Sequence, residues 1–200
     1  MIRININELL NSKELLNQFC IDMGKGAVAV IPTDTLYGFA VSYNSKEAVK
    51  RVYNIKNRDS RKPLILFITH TDKMENLGLK ASYEAKKIIQ KNWPGASTAI
   101  LPKPENGELA NFDFPTIGVR APNHKALLKL LKILPFHLLT TSANRSGSPS
   151  DTNPDNIEKE FKNEVEWLID DGILPSGVPS TVADFSEIPP KILRQGKVTL

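Results

Sequence analysis

Apolar residues recur along this chain in two rhythms. Leu15, Leu16, Phe19, Cys20 and Met23 fall three or four apart, the spacing of one helix face. Asn11 and Glu14 form a capping pair ahead of them, and Gly24 and Gly26 supply a stop. Residues 27–31 are then apolar without interruption and of strand length, and Pro32, which cannot donate to a ladder, ends the strand. Asn44 with Glu47 repeats the cap, and Ala48, Val49, Val52 and Tyr53 line a second helix that ends near Ile55. Residues 64–68 read as a second buried strand. A third helix follows over 82–92, closed by Trp93, Pro94 and Gly95, and 97–101 reads as a strand. Residues 103–115 are polar and turn-rich, an exposed loop. Residues 116–120 form a strand that stops before Pro122. Asn123 caps a helix with Ala126, Leu127, Leu130, Leu131 and Leu134 on its buried side. A strand over 137–139, a mobile-looking stretch over 146–156 and a short helix to Phe161 come next. Strands near 167–169, 181–185 and 192–194 finish the chain.

Strands that alternate with helices predict an α/β sheet. The late strands stand too close together to be joined by helical crossovers, so some pairs are antiparallel. Two hundred residues suit one domain with a substantial core, with no internal repeat and no long linker.

Composition narrows the chemistry. A hydrophobic fraction of 40% rules out a disordered class. Cys20, the one cysteine, excludes an internal disulfide and a cysteine-based zinc cluster, and its place on a helix face predicts a buried structural thiol. His70, His124 and His137 lack the spacing of a helical metal site. No membrane span or secretory segment is read, so a cytoplasmic protein is expected. A net charge of +4 permits weak contact with tRNA or other RNA without establishing it.

Chemistry-bearing residues gather where strands end. Pro32, Thr33, Asp34, Thr35, Leu36, Tyr37 and Gly38 crowd three hydroxyls and a carboxylate behind the first apolar strand. Lys56, Arg58, Arg61 and Lys62 put four cations in seven residues just before the second, where they suit a polyphosphate. Two further hydroxyl-bearing segments are Thr140, Thr141, Ser142, Ala143, Asn144, Arg145, Ser146 and Gly147, and then Pro179, Ser180, Thr181 and Val182. Arg194 lies near the C-terminus. Neither G-x-x-x-x-G-K-[ST] nor G-x-G-x-x-G occurs, so ATP binding would fall to side chains at scattered strand ends. No histidine adjoins a motif serine, which leaves substrate assembly and charge stabilisation as the chemistry, without a covalent enzyme intermediate.

Taken in order, these segments resemble the YrdC family of threonylcarbamoyl-adenylate synthases over about residues 24–196, in its short, single-domain form. The resemblance implies an open, twisted mixed sheet with flanking helices and a large concave active site. It implies a nucleotidyltransferase that joins L-threonine, bicarbonate and ATP into threonylcarbamoyl-AMP and pyrophosphate. The product then passes to a tRNA threonylcarbamoyl-transferase complex that modifies the adenosine next to the anticodon. By the same resemblance Thr35, Arg120, Thr140 and Ser180 hold threonine, and Arg58, Lys62, Thr116, Ser142, Ser150 and Arg194 hold ATP. Lys56 and Arg58 stand beside the reacting phosphate, and Mg2+ is held mainly by the ATP phosphates, with no protein metal site. The tail carrying Arg194 is expected to close over bound ATP. Many relatives carry a histidine where this chain has Phe67, with His70 three residues on, which leaves one amino-acid contact unassigned. Lys62 is basic where asparagine is common. A second reading of the same cations is a non-catalytic module for double-stranded RNA or tRNA. Hydroxyl density at Thr35, Thr140, Ser142 and Ser180 favours a small polar ligand, since an RNA surface would expose aromatics among its cations.

Overall fold

The computed structural model describes all 200 residues except the side chain of Asn111. In chain order the elements are β1 (Ile2–Asn5), α1 (Ile6–Asn11), α2 (Lys13–Gly24), β2 (Ala29–Ile31) and β3 (Gly38–Ser42). Next come α3 (Lys46–Lys56), β4 (Ile65–Phe67), α4 (Asp72–Asn76), α5 (Tyr83–Asn92), β5 (Ser97–Pro102) and β6 (Thr116–Arg120). Last are α6 (Lys125–Ile133), β7 (Leu138–Ser142), α7 (Pro154–Phe161), β8 (Trp167–Asp170), β9 (Thr181–Asp184) and β10 (Lys191–Arg194).

Chain contacts divide these elements between two compact units, Met1–Lys62 with His124–Gly177, and Pro63–Asn123 with Val178–Leu200. In the first, β1 and β2 lie parallel on either side of β8, and β3 lies antiparallel between β2 and β7. Every residue of β2 and β3 is buried, which accounts for an apolar run without alternation. Phe19 of α2 meets Trp167 of β8 edge-on at 5.4 Å, and Phe39 of β3 meets Phe161 of α7 edge-on at 5.0 Å. In the second unit β6 pairs parallel with β4 and antiparallel with β5, while β9 pairs parallel with β5 and antiparallel with β10. Both units are mixed α/β sheets with flanking helices, as the spacing of elements predicts. No helix among the described residues is long and apolar enough to cross a membrane.

Three helix starts sit one residue later than the sequence suggests. The caps are Ser12, Ser45 and His124, not Asn11, Asn44 and Asn123. Each has extended backbone, and each side chain accepts the amide three residues on, from Leu15, Ala48 and Leu127 at 3.2, 3.2 and 3.1 Å. Two neighbouring acceptors compete at each start, and the one whose backbone is extended where the chain enters the helix becomes the cap. The sequence pattern carries no signal for β1, α1, β3 or α4. The segment after Pro32 therefore links two antiparallel strands. β7 also runs on through Ser142, so Thr140 and Ser142 are strand residues paired with Ala40 and Gly38. The stretch over 103–115 is not wholly exposed, because a short turn (Glu108–Asn111) buries Leu109, and Phe112 is buried after it. Cys20 is half-buried, and burial pushes its thiol up.

Phe161 is fully buried against Phe39 and under the Arg145 guanidinium. Phe161→Ala removes the ring and leaves a cavity, so it is expected to destabilise the protein by about 3–5 kcal/mol. Urea denaturation followed by circular dichroism checks this, and an unchanged midpoint would show that Phe161 adds nothing to the core.

Candidate active site

Helix α3 ends at Lys56 because Asn57 takes the left-handed conformation at φ 50° and ψ 49°. The chain then folds back, with the Arg58 amide on Tyr53 O at 2.9 Å and the Tyr53 hydroxyl on Lys62 O at 2.9 Å. An open cavity of about 220 Å³ lies here, lined by Lys56, Arg58, Lys62, Ser142, Asn144 and Ser146 among others. These residues come from the end of α3, the loop after it, and the end of β7 with the turn that follows.

Lys56 is only 1% exposed. Its ammonium donates to Ser142 O at 2.5 Å, Asn144 O at 2.7 Å and Asn144 Oδ1 at 3.0 Å, one acceptor for each proton. Asn144 Oδ1 also accepts from the Ser142 hydroxyl at 2.6 Å, and Asn144 Nδ2 donates to Arg145 O and Ser148 O at 2.9 and 2.6 Å. Burial, and then the neighbouring Arg58 charge, push Lys56 down to about 7. Burial also lowers Arg58. Asp59, the one carboxylate lining the cavity, is held two-pronged by Arg61, which pushes its carboxyl down to about 2. The lining thus carries positive charge without a free counter-charge, the condition an entering phosphate group relieves.

Of the residues expected to hold ATP, this cavity brings together Arg58, Lys62 and Ser142, with Lys56 beside them. Ser150 does not line it. Thr35 and Thr140 lie elsewhere in the same unit, both buried. Thr33 organises the loop around Thr35: its hydroxyl accepts the amides of Thr35 and Leu36 at 3.0 and 3.1 Å and donates to Leu36 O at 2.7 Å. The Thr35 hydroxyl sits 3.0 Å from that of Thr33.

Thr116, Arg120, Ser180 and Arg194 belong to the second unit. Thr116 opens β6 opposite Pro102, and Arg120 closes it. Arg120 is buried and donates through Nε to Gly95 O at 2.9 Å, while the Gly95 amide reaches Ala121 O at 2.8 Å. A Cβ at position 95 would stand 2.3 Å from Asn92 O, so the loop that holds Arg120 needs glycine there. Phe67 is the register partner of Arg120 on β4. Ser180 lies between Thr98, with the hydroxyls 2.9 Å apart, and Arg194, whose Nη2 donates to Ser180 O at 2.8 Å and to Ser180 Oγ at 3.2 Å. The tail is an edge strand on β9, with Ile192 paired to Ala183 and Arg194 to Val182. Asp59, Asn144, Ser146 and Gly147 also line the cavity without having been given a role from the sequence, although all stand inside segments it singles out.

The clasp beyond β10 depends on Gly196. A Cβ there would lie 2.4 Å from Pro179 O and 2.5 Å from Ser180 O. Gly196→Ala is expected to lift the tail at a cost of about 1–3 kcal/mol. Hydrogen exchange reads this at the Gly196 and Lys197 amides, now bound to Thr181 Oγ1 and Pro179 O at 3.0 and 2.9 Å. Exchange as slow as in the parent would show that the tail tolerates the methyl group.

The protein is thus of the mixed α/β class, and its first unit carries a cationic, hydroxyl-lined cavity. The chain belongs to the Sua5/YciO/YrdC family, whose model, described as telomere recombination, matches residues 22–196. It is 33% identical over 198 residues to the threonylcarbamoyl-AMP synthase of Pyrococcus abyssi, covering 96% of this chain and 58% of that protein. The enzyme of the same name from Bacillus subtilis is 31% identical, with 96% of this chain and 56% of that one covered. Among solved structures, P. abyssi Sua5 complexed with L-threonine superposes with a TM-score of 0.82 at 32% identity, over 98% of this chain and 56% of that one. The chain therefore spans a little over half the length of these relatives.

Proposed function

We propose that the protein is an L-threonylcarbamoyladenylate synthase, a nucleotidyltransferase acting on ATP, L-threonine and bicarbonate. The observation that carries this is the cavity in which Lys56 and Arg58, both lowered by burial, stand with Lys62 and Ser142. The names of the relatives and the threonine bound to one of them support the same reading. The amino group of threonine takes up bicarbonate as a carbamate with loss of water. A carbamate oxygen attacks the α-phosphorus, the bond to the bridging oxygen breaks, and pyrophosphate leaves. Charge builds on the phosphate oxygens, and Arg58 and Lys62 are the cations proposed to meet it.

Among the described residues no three carboxylate, histidine or cysteine groups gather as a metal site, and Asp59 is engaged by Arg61. A magnesium ion held mainly by the ATP phosphates is proposed, and there it would supply further neutralisation of phosphate charge. Thr35, Arg120, Thr140 and Ser180 are proposed to hold threonine, and Thr116, Ser150 and Arg194 to contribute to ATP binding. The product would pass to a tRNA threonylcarbamoyl-transferase complex in the cytoplasm. A non-catalytic RNA-binding role is the weaker reading, because among the described residues no aromatic side chain on which a base could stack lines the cavity.

Pyrophosphate release from ATP is expected to need both threonine and bicarbonate, checked by omitting each in turn. Release indifferent to threonine would rule the assignment out. Arg58→Ala is expected to remove about 2–4 kcal/mol of transition-state stabilisation with the fold intact. Early melting of that variant would make Arg58 structural. Arg120→Lys keeps the charge but loses the planar fork that matches a carboxylate, so KM for threonine is expected to rise more than KM for ATP. Equal rises would argue against a dedicated threonine contact.

A further inference from the structure

Behind the cavity, one side chain joins three segments without lining the space itself. Arg145 follows Asn144 in the turn after β7. Its Nη1 donates to Ile55 O, the carbonyl just before Lys56. The same guanidinium grips Glu164 with two prongs, Nη1 to Oε2 at 3.0 Å and Nη2 to Oε1. Nε stands 3.5 Å from Glu160 Oε1, and the group lies 4.9 Å from the Phe161 ring.

The last four carbonyls of a helix have no partner within it. In α3 those of Tyr53 and Asn54 take the Arg58 and Asn57 amides at 2.9 and 3.0 Å. The other two go to consecutive residues of one turn, Ile55 O to Arg145 Nη1 and Lys56 O to the Ser146 amide at 2.7 Å. Lys56 Nζ returns bonds to Ser142 O and Asn144 O on the approach to that turn. Helix end and turn therefore hold each other, and the grip on Ile55 is the one made by a side chain. The Arg145 and Glu164 side chains keep 36% and 35% of their exposure, a degree at which an ion pair adds little to stability. A salt bridge of that kind does not explain why the guanidinium is aimed at Ile55 O.

We propose that Arg145 is a positioning residue: by tying Ile55 O to the turn after β7, and being itself held by Glu164, it sets where Lys56 and Arg58 present positive charge to the nucleotide phosphates. The proposal rests on the adenylate-forming reading above. The charged groups facing Lys56 are Arg58 from its own helix end, with Asp59 and Lys62 on the same cavity, and the Phe39 ring lies 5.6 Å from Nζ.

The experiment compares the parent with Arg145→Ala, Arg145→Lys and Glu164→Gln by two measurements. Steady-state kinetics give KM for ATP and for threonine. Separately, NMR titration of the Lys56 side chain without substrate reads the site whether or not the protein turns over. In Arg145→Ala, loss of one charged hydrogen bond is expected to raise KM for ATP about tenfold while KM for threonine stays within about twofold. The Lys56 midpoint, held down by burial in the parent, moves upward as the turn lifts and water reaches the amine. Arg145→Lys, which keeps one donor but not the fork, recovers part of both effects, and Glu164→Gln shows a smaller form of each. Equal rises in the two KM values, or an unmoved Lys56 midpoint, overturns the positioning role. If the parent releases no pyrophosphate, the enzymatic reading falls, and the Lys56 titration alone decides whether Arg145 sets that side chain. Should Arg145→Ala not fold, Arg145→Lys carries both measurements.

Discussion

The cavity is organised around one buried ammonium. Lys56 would be a costly group to bury were its three protons not taken by three oxygens from Ser142 and Asn144. Those bonds tie the end of α3 to the end of β7, segments more than eighty positions apart in the chain. Arg58 and Lys62 follow two and six residues later, so their place on the cavity is inherited from that anchor. Asn144 takes both the Lys56 ammonium and the Ser142 hydroxyl on a single oxygen. The anchor therefore responds as a network, and a change at any member is felt by the others.

Each unit repeats the same economy of polar groups. Thr33 in the first unit satisfies two amides and a carbonyl with one hydroxyl, holding open a loop between two buried strands. In the second, Thr181 Oγ1 accepts the amides of Gly196 and Val198, and Ser180 meets Thr98 and Arg194. Among the described residues no buried side-chain nitrogen or oxygen lacks a partner. Hydroxyls are the useful groups here because each can donate once and accept twice in very little space.

Cation burial gives the cavity its chemical bias. Lys56 and Arg58 are both lowered, first by loss of water. An anion entering the cavity would restore to both the charge stabilisation that burial removed. A glycine-rich phosphate loop achieves this with backbone amides, and this chain contains none. Side chains from separated segments take over that task, which is why the site can exist only after the sheet has formed.

Much of this was legible in the residues themselves. The apolar runs at 27–31 and 64–68 contain β2 and β4, each three residues long, and helix-period patterns place α2, α3, α5 and α6 within a residue or two. The segments with Thr35, Lys56 to Lys62, Ser142, Ser180 and Arg194 stood out by the residue types they crowd together, and Arg58, Lys62 and Ser142 do share one cavity. What composition and spacing could not supply was pairing. β1 and β3 are short and find their partners far along the chain, so neither has a local signal. Adjacent acceptors such as Asn11 and Ser12 are equivalent until the incoming chain direction selects one. The roles of Asn144 and Arg145 likewise depend on which carbonyls the end of α3 leaves open to the turn after β7. Local pattern determined which segments are helix, strand and polar turn, because periodicity and backbone propensity act within a few residues. Tertiary structure alone decided which polar groups meet, because hydrogen-bond partners are chosen by the sheet that brings distant segments together.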